Sequence, residues 1–143
     1  MIQRIQSVFL LLASGSCFGL FATDAADTPA PVASSDLFAD GSFNVFDDPI
    51  LIAIVVLAGV VFLADIFLFK NRKLQVTLSR LGLALMLIGA GYSSYLWYSD
   101  SAGASATPDV GIALPVLAVI FALLAGRYIA KDEKLVRSAD RLR

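Results

Sequence analysis

The chain has 143 residues, of which 58% are hydrophobic, with a mean hydropathy of +0.79 and a formal net charge of −1. A soluble domain of this length cannot bury so much apolar surface, so the composition excludes a soluble globular protein and predicts a membrane protein. The chain has no His and a single Cys, Cys17, which excludes His-ligated haem, His-based zinc sites and an intramolecular disulfide.

The first of four apolar runs covers residues 5–23, and about 20 mostly apolar residues are needed to span a bilayer. Because this run is slightly short and follows one basic residue, Arg4, it also resembles a signal peptide with a small-residue cleavage site near Ala25. We expect the first helix to be retained, since an even number of spans places the basic N-terminus and the basic C-terminus on the same side.

The second and third runs, residues 49–69 and 78–98, are joined by a short polar turn and predict an antiparallel helical hairpin. Asp48, with Asp47 before it, is placed to cap the second helix, and proline suits the first helical position. The third helix is expected to begin earlier than its apolar run, near Leu74, with a first turn at the membrane interface.

The fourth run, residues 110–130, contains Pro115 in its first turns, where proline is expected to bend the helix slightly. The tail that follows, residues 131–143, places three apolar side chains on one helical face: Leu135, Ala139 and Leu142. The tail is therefore predicted to be a helical extension of the span or an amphipathic segment at the inner membrane surface.

The connection between the first two runs, residues 24–48, is rich in Ala, Ser, Asp and Pro, which predicts that it is flexible in part. Its strong aromatic anchors are Phe38, Phe43 and Phe46, and we expect them to dip into the membrane interface.

All eleven Lys and Arg residues can lie on one side of a membrane. Arg4 precedes the first run, four basic residues lie between the second and third runs, and six lie at or after the end of the fourth. The connections 24–48 and 100–111 contain eight Asp and no basic residue. Since basic residues in short loops stay in the cytoplasm, this pattern predicts a multi-pass protein of the bacterial inner membrane with both termini cytoplasmic.

Asp65 is an acid inside the second run. An acid at the centre of a spanning helix costs roughly 2.5–3.5 kcal/mol on insertion scales, so it is expected to face a partner or water. Arg80 and Arg127 should lie at a similar depth on neighbouring helices. The three residues are predicted to form a structural ion pair that joins the helix ends, with a functional ion- or proton-linked site as the alternative.

Small residues at four-residue spacing predict close packing of helices. They are Gly15 with Gly19, Gly89 with Ser93, and Ala118 with Ala122 and Gly126. Because such spacing is common in spans rich in Ala and Gly, packing inside the bundle is favoured over a homo-oligomer contact.

The basic tail is the candidate interaction surface. Its residues are Lys131, Lys134, Leu135, Arg137, Arg141 and Leu142. The expected partners are the lipid bilayer, another membrane protein or a second copy of the chain, and anionic lipid at the cytoplasmic face. Nucleic acid is not expected, and neither are a catalytic residue, a cofactor or a metal site, because the chain lacks His and clustered carboxylates on either face.

Three stretches carry a family resemblance: MIQRIQS at residues 1–7, FKNRKLQ at residues 69–75 and KDEKLVRSADRLR at residues 131–143. Together they resemble the small four-helix membrane proteins of Bacteroidota grouped as domain-of-unknown-function family 4293. The resemblance implies a four-span inner-membrane protein, and it transfers no activity and no catalytic residue.

The sequence therefore predicts an all-α membrane protein, with a bundle of four transmembrane helices in residues 1–130 and a cytoplasmic amphipathic helix in residues 131–143. The leading hypothesis is a non-enzymatic accessory or scaffold subunit that interacts through its basic cytoplasmic face. The alternative is a small ion- or proton-linked transporter or channel, oligomeric, that uses Asp65.

Overall fold

A computed structural model describes residues 2–140, with side chains described for residues 5–136 and 138. Four long helices make up most of it: α1 (Ile2–Gly19), α2 (Pro49–Phe67), α3 (Arg72–Ser99) and α4 (Ala113–Asp140). Three two-residue strands lie in the connections: β1 (Ala26–Asp27), β2 (Ser42–Phe43) and β3 (Thr107–Pro108). Each helix contains a stretch long and apolar enough to cross a membrane, so the fold is that of a multi-pass membrane protein.

The four helices form an up-down-up-down bundle. α1 packs against α2 and α4, and α3 packs against the same two helices from the opposite side. The core between them is built of buried apolar side chains from every helix, including Leu10, Ala13, Phe62, Met86, Ala118 and Ala122. Many large apolar side chains on the outer faces are exposed, among them Leu11, Leu57, Leu87 and Ile120. An exterior of this kind suits hydrocarbon as the surrounding solvent.

Polar side chains start the second and third helices. The Asp48 carboxylate accepts hydrogen bonds from the backbone amides of Ile50 and Leu51, at 2.7 and 3.1 Å, which confirms the predicted cap. The Asn71 side chain accepts from the Leu74 amide at 3.2 Å. Because Asn71 supplies this cap, α3 begins at Arg72, two residues before the expected start at Leu74.

Residues 131–140 continue α4 without a break. A helix of 28 residues is about 42 Å long, which exceeds the roughly 30 Å hydrocarbon core of a bilayer. The described part of the tail, residues 131–140, is therefore a helical extension of the fourth apolar run rather than a separate segment. Pro115 is the third residue of α4, where the amide would have no intrahelical acceptor, so it removes no helical hydrogen bond.

The connections 24–48 and 100–112 fold together into what we call the cap. Its antiparallel sheet has the order β2-β1-β3, with Ala26 opposite Phe43 on one side and opposite Pro108 on the other. Phe38 and Phe43 are buried, with ring centroids 6.1 Å apart, and form the centre of the cap. The expectation that they dip into the membrane interface is therefore wrong, because the cap gives both rings an apolar interior of its own.

Phe46 differs from the other two phenylalanines of the cap, since 62% of it is exposed. Its ring meets that of Phe21 edge-on, with centroids 5.4 Å apart. The expected partial flexibility of residues 24–48 contrasts with the backbone hydrogen bonds found there, such as Ala25 N to Phe43 O at 2.7 Å.

The small residues divide into two groups. Ala118 and Ala122 are buried in the bundle, and a Cβ at Gly89 would lie 3.0 Å from Ile54 Cγ2. These positions serve the predicted close packing. Gly15 is exposed, and nothing lies within 4 Å of the position its Cβ would take, so it makes no helix contact within the bundle. Gly19 does, because a Cβ there would lie 3.2 Å from Leu114 Cδ1 of α4.

Candidate functional site

Four polar side chains are buried together at the end of the bundle opposite the cap. The members of this polar cluster are Gln6 of α1, Asp65 of α2, and Gln75 and Ser79 of α3. None is more than 4% exposed. Since unpaired polar groups are costly in an apolar interior, four of them together make this the most unusual place in the bundle.

Helix positions explain how the cluster forms. Gln6 lies near the start of α1, Asp65 near the end of α2, and Gln75 and Ser79 in the first turns of α3, so the antiparallel order brings all four to one level. Gln75 and Ser79 are four residues apart and therefore share one face of α3.

A chain of hydrogen bonds links the cluster. The Ser79 hydroxyl donates to Asp65 Oδ2 at 2.5 Å, and Gln75 Nε2 donates to the Asp65 backbone carbonyl at 3.2 Å. Gln6 Nε2 donates to Gln75 Oε1 at 3.4 Å. The cluster therefore joins α1, α2 and α3 through side chains at a single depth.

Two acceptors in the cluster have no hydrogen-bond partner within the described residues: Asp65 Oδ1 and Gln6 Oε1. Each can accept one more donor, such as a water molecule. Toward the cap the cluster is closed by buried apolar side chains, including Leu10 and Phe62, and by the contact of Cys17 Sγ with Met86 Sδ at 3.4 Å. The site is thus a closed polar pocket and not a continuous path through the bundle.

The structure does not bring Arg80 or Arg127 to Asp65. Both arginines are exposed, whereas Asp65 is fully buried and is held by Ser79 and Gln75. The reason lies in helix geometry, since successive residues point about 100° apart around the axis. Arg80 follows the buried Ser79 and therefore points away from the core. Arg127 lies between Ala125 and Ile129, whose side chains face the core, and it points outward for the same reason.

An ion pair that the sequence analysis missed closes the same end of the molecule. Arg72 Nη2 lies 2.9 Å from Asp132 Oδ2, and the two side chains form an ion pair. The geometry at this oxygen is not that of a hydrogen bond. Arg72 Nη1 also donates to the Asp132 backbone carbonyl at 3.2 Å. The two contacts tie the start of α3 to the projecting part of α4.

A groove lies beside this ion pair. Its walls are residues 69–73 at the α2–α3 turn and Glu133 and Val136 of α4. Lys70 and Lys73 at the groove are exposed, as are Lys131 and Lys134 on α4. We call this end of the molecule, with the turn, the groove and the projecting part of α4, the basic end.

The structure does not place every residue of the predicted interaction surface. Leu135 is 49% exposed on the projecting part of α4. The backbone of Arg137 belongs to α4, but its side chain lies outside the described part, and so do Arg141 and Leu142 entirely.

The cap end is fastened by hydrogen bonds to acidic side chains. The Tyr92 hydroxyl donates to Asp48 Oδ2 at 3.1 Å, which joins α3 to the start of α2. Asp100 accepts from Ser35 Oγ and from the Ala102 amide, both at 2.8 Å. Burial alone would raise the pKa of Asp100, but these hydrogen bonds to its charged form leave that pKa lowered.

Asp27, on β1, has the opposite shift. Burial first, and then the neighbouring carboxylates of Asp109 and Asp24, raise its pKa. Within residues 2–140, no three His, Cys, Asp or Glu side chains are arranged to hold a metal ion.

No curated protein and no solved structure matches the chain. A family model matches residues 2–142, a range that contains the three stretches of the predicted resemblance except their first and last residues, Met1 and Arg143. The chain therefore belongs to the family described as Domain of unknown function (DUF4293).

Proposed function

We propose that this protein is a non-enzymatic accessory or scaffold subunit of the bacterial inner membrane that binds another membrane protein through its basic end. The observation that carries the proposal is the attachment of Arg72 to Asp132, at 2.9 Å between charged groups and 3.2 Å to the carbonyl. These contacts fix the α2–α3 turn against α4, so the groove between them is formed before a partner arrives. A preformed surface loses less conformational entropy on binding.

The chemistry of the groove indicates the kind of partner. Phe69 and Val136 supply apolar surface, and both are exposed. Lys70 and Lys73 supply positive charge at the same place. A short amphipathic segment of a membrane protein, with acidic residues beside an apolar face, would be complementary to such a groove.

The charge pattern supports an orientation with the basic end in the cytoplasm. The cap contains eight Asp and no Lys or Arg, whereas ten of the eleven basic residues lie within residues 70–80 and 127–143. Under the positive-inside rule, the termini and the basic end face the cytoplasm and the cap faces the periplasm. The place of α1 in the polar cluster supports its retention, since its removal would leave Gln75 without Gln6.

The proposal is tested by affinity purification of the tagged protein from its native membrane in mild detergent, with mass spectrometry of the proteins that remain bound. We expect one partner in a fixed ratio, and its loss by tenfold or more on Lys73→Glu, which reverses a charge in the groove. Lys131→Glu is the matched control, because Lys131 is exposed near the groove but does not line it. Specific binding in the groove would be contradicted if the wild-type protein purified alone. It would also be contradicted if both variants lost the partner to the same extent.

A second candidate function is ion- or proton-linked transport by an oligomer. It is favoured by the unpartnered Asp65 Oδ1 and Gln6 Oε1 inside the bundle. The test is flux of protons or monovalent cations in proteoliposomes, which Asp65→Asn should abolish if the acid belongs to the path. Wild-type vesicles that are no leakier than empty ones would eliminate this candidate.

A further inference from the structure

An apolar cavity of about 220 Å³ lies at the cap end of the bundle, far from the polar cluster. Its inner wall includes buried side chains of two helices, Leu51 and Val55 of α2 and Met86 of α3, together with Leu20, which follows α1. Residues of the cap, such as Phe43 and Val45, close it from above. The cavity is therefore enclosed by the bundle below and by the folded connections above.

The cavity opens sideways, between α3 and α4. Its exposed lining residues are Ser94 on α3, Val116 on the first turn of α4, and Ile112 just before α4. The α3 side of the opening carries four small residues, Gly89, Ala90, Ser93 and Ser94, with Trp97 one turn beyond them. In a membrane-inserted bundle, an opening between two adjacent spans leads to the lipid and not to water.

Three of the polar side chains on the cavity wall already donate to backbone carbonyls. Thr23 Oγ1 donates to the Gly19 carbonyl at 3.2 Å, and Ser94 Oγ donates to the Ala90 carbonyl at 2.8 Å. Trp97 Nε1 donates to the Gly103 carbonyl at 2.8 Å. The wall therefore offers hydrocarbon to a ligand, and apolar cavities of roughly 150 Å³ in other proteins stay dry and bind small apolar molecules.

We propose that this cavity binds the terminal segment of one acyl chain of a phospholipid, which enters from the cap-side leaflet through the opening between α3 and α4. Phospholipid is the expected source because its chains are the apolar groups that face such an opening. The inference rests on the membrane insertion assumed in the proposed function, but not on any partner at the basic end. The binding of an acyl chain can therefore be disproved while partner binding is confirmed. Partner binding can likewise be disproved while the binding of an acyl chain is confirmed.

The chain has a single tryptophan, and Trp97 lines the cavity, so its fluorescence reports on the occupant. The experiment titrates purified full-length protein in detergent with phosphatidylcholine brominated along one acyl chain, because bromine quenches tryptophan. We expect saturable quenching at about one lipid per protein, reversed by an excess of unbrominated phosphatidylcholine.

Two variants fill the opening from its opposite sides: Ser93→Phe on α3 and Val116→Phe on α4. Val116 is 58% exposed, so its replacement does not disturb the core. Gly91→Phe is the matched control, since Gly91 is exposed on α3 outside the cavity, with nothing within 4 Å of its Cβ position. We expect both filling variants to lose the saturable quenching and the control to keep it, with wild-type helicity in all three. Quenching that never saturates, or that persists unchanged in Val116→Phe, would overturn the proposal.

Discussion

At the scale of single residues, Ser79 has the clearest energetic role, because it donates the hydrogen bond to the buried Asp65 carboxylate. Ser79→Ala would leave a second oxygen of this group without a partner, and an unsatisfied buried polar group costs about 1–3 kcal/mol. We expect the free energy of unfolding in detergent to fall by that amount, as measured by circular dichroism during denaturation. Ser94→Ala is the control, since Ser94 is exposed and bonds only within its own helix; an equal loss there would contradict the assignment.

Gly82 allows a similar test of packing. A Cβ at this position would lie 2.6 Å from the Phe62 ring, which is itself fully buried. Gly82→Ala is therefore expected to destabilise the bundle by about 1–3 kcal/mol through overpacking. Gly91→Ala, on the same helix with open space around it, should show no loss of stability. If the two variants had the same melting temperature, the Phe62 ring would be able to move aside for the added methyl group.

Only one member of the polar cluster, Asp65, could be predicted from the sequence. An acid inside an apolar run is visible in the sequence, so Asp65 could be singled out. Its partners could not be, because Ser79 lies 14 residues away on another helix, and Gln6 and Gln75 are 69 residues apart. Which side chains meet depends on the rotation of each helix about its axis, which a uniformly apolar run does not reveal.

At the scale of elements, the attachment of α3 to the projecting part of α4 can be tested directly. We expect Arg72→Ala to free this part of α4 and to raise amide hydrogen exchange in residues 131–140 by about tenfold, a loss near 1.4 kcal/mol of local stability. Lys73→Ala, which removes an exposed cation next to Arg72, should leave that exchange unchanged. Identical exchange in the two variants would mean that the end of α4 is stable without the contact between Arg72 and Asp132.

The helices were predictable and the cap was not. Long apolar runs and an Asp-Pro start located α2 to within two residues of its observed end. Strands of two residues are too short to show alternation, so nothing in residues 24–48 indicated a sheet. The third strand, β3, comes from a connection about 80 residues further along the chain. Its pairing with β1 depends on the tertiary fold, which brings the two connections together.

At the scale of the whole molecule, the predicted orientation can be read from single cysteines. The native Cys17 is fully buried, so it gives little background labelling. We expect an impermeant maleimide to label Ser101→Cys, in the cap, only in right-side-out vesicles, and Ser138→Cys, on α4, only in inside-out vesicles. Both positions are exposed. Labelling of the two from the same side would rule out the antiparallel order of the spans.

The polar cluster has a last consequence, for axial alignment. Apolar faces of spanning helices are nearly interchangeable in hydrocarbon, so a slide of one turn, about 5.4 Å, exchanges one such contact for another. The same slide of α1 would pull Gln6 away from Gln75, which it now meets at 3.4 Å. Four side chains thus fix the heights of α1, α2 and α3 against one another. The attachment of Arg72 to Asp132 then carries this alignment to the far end of α4.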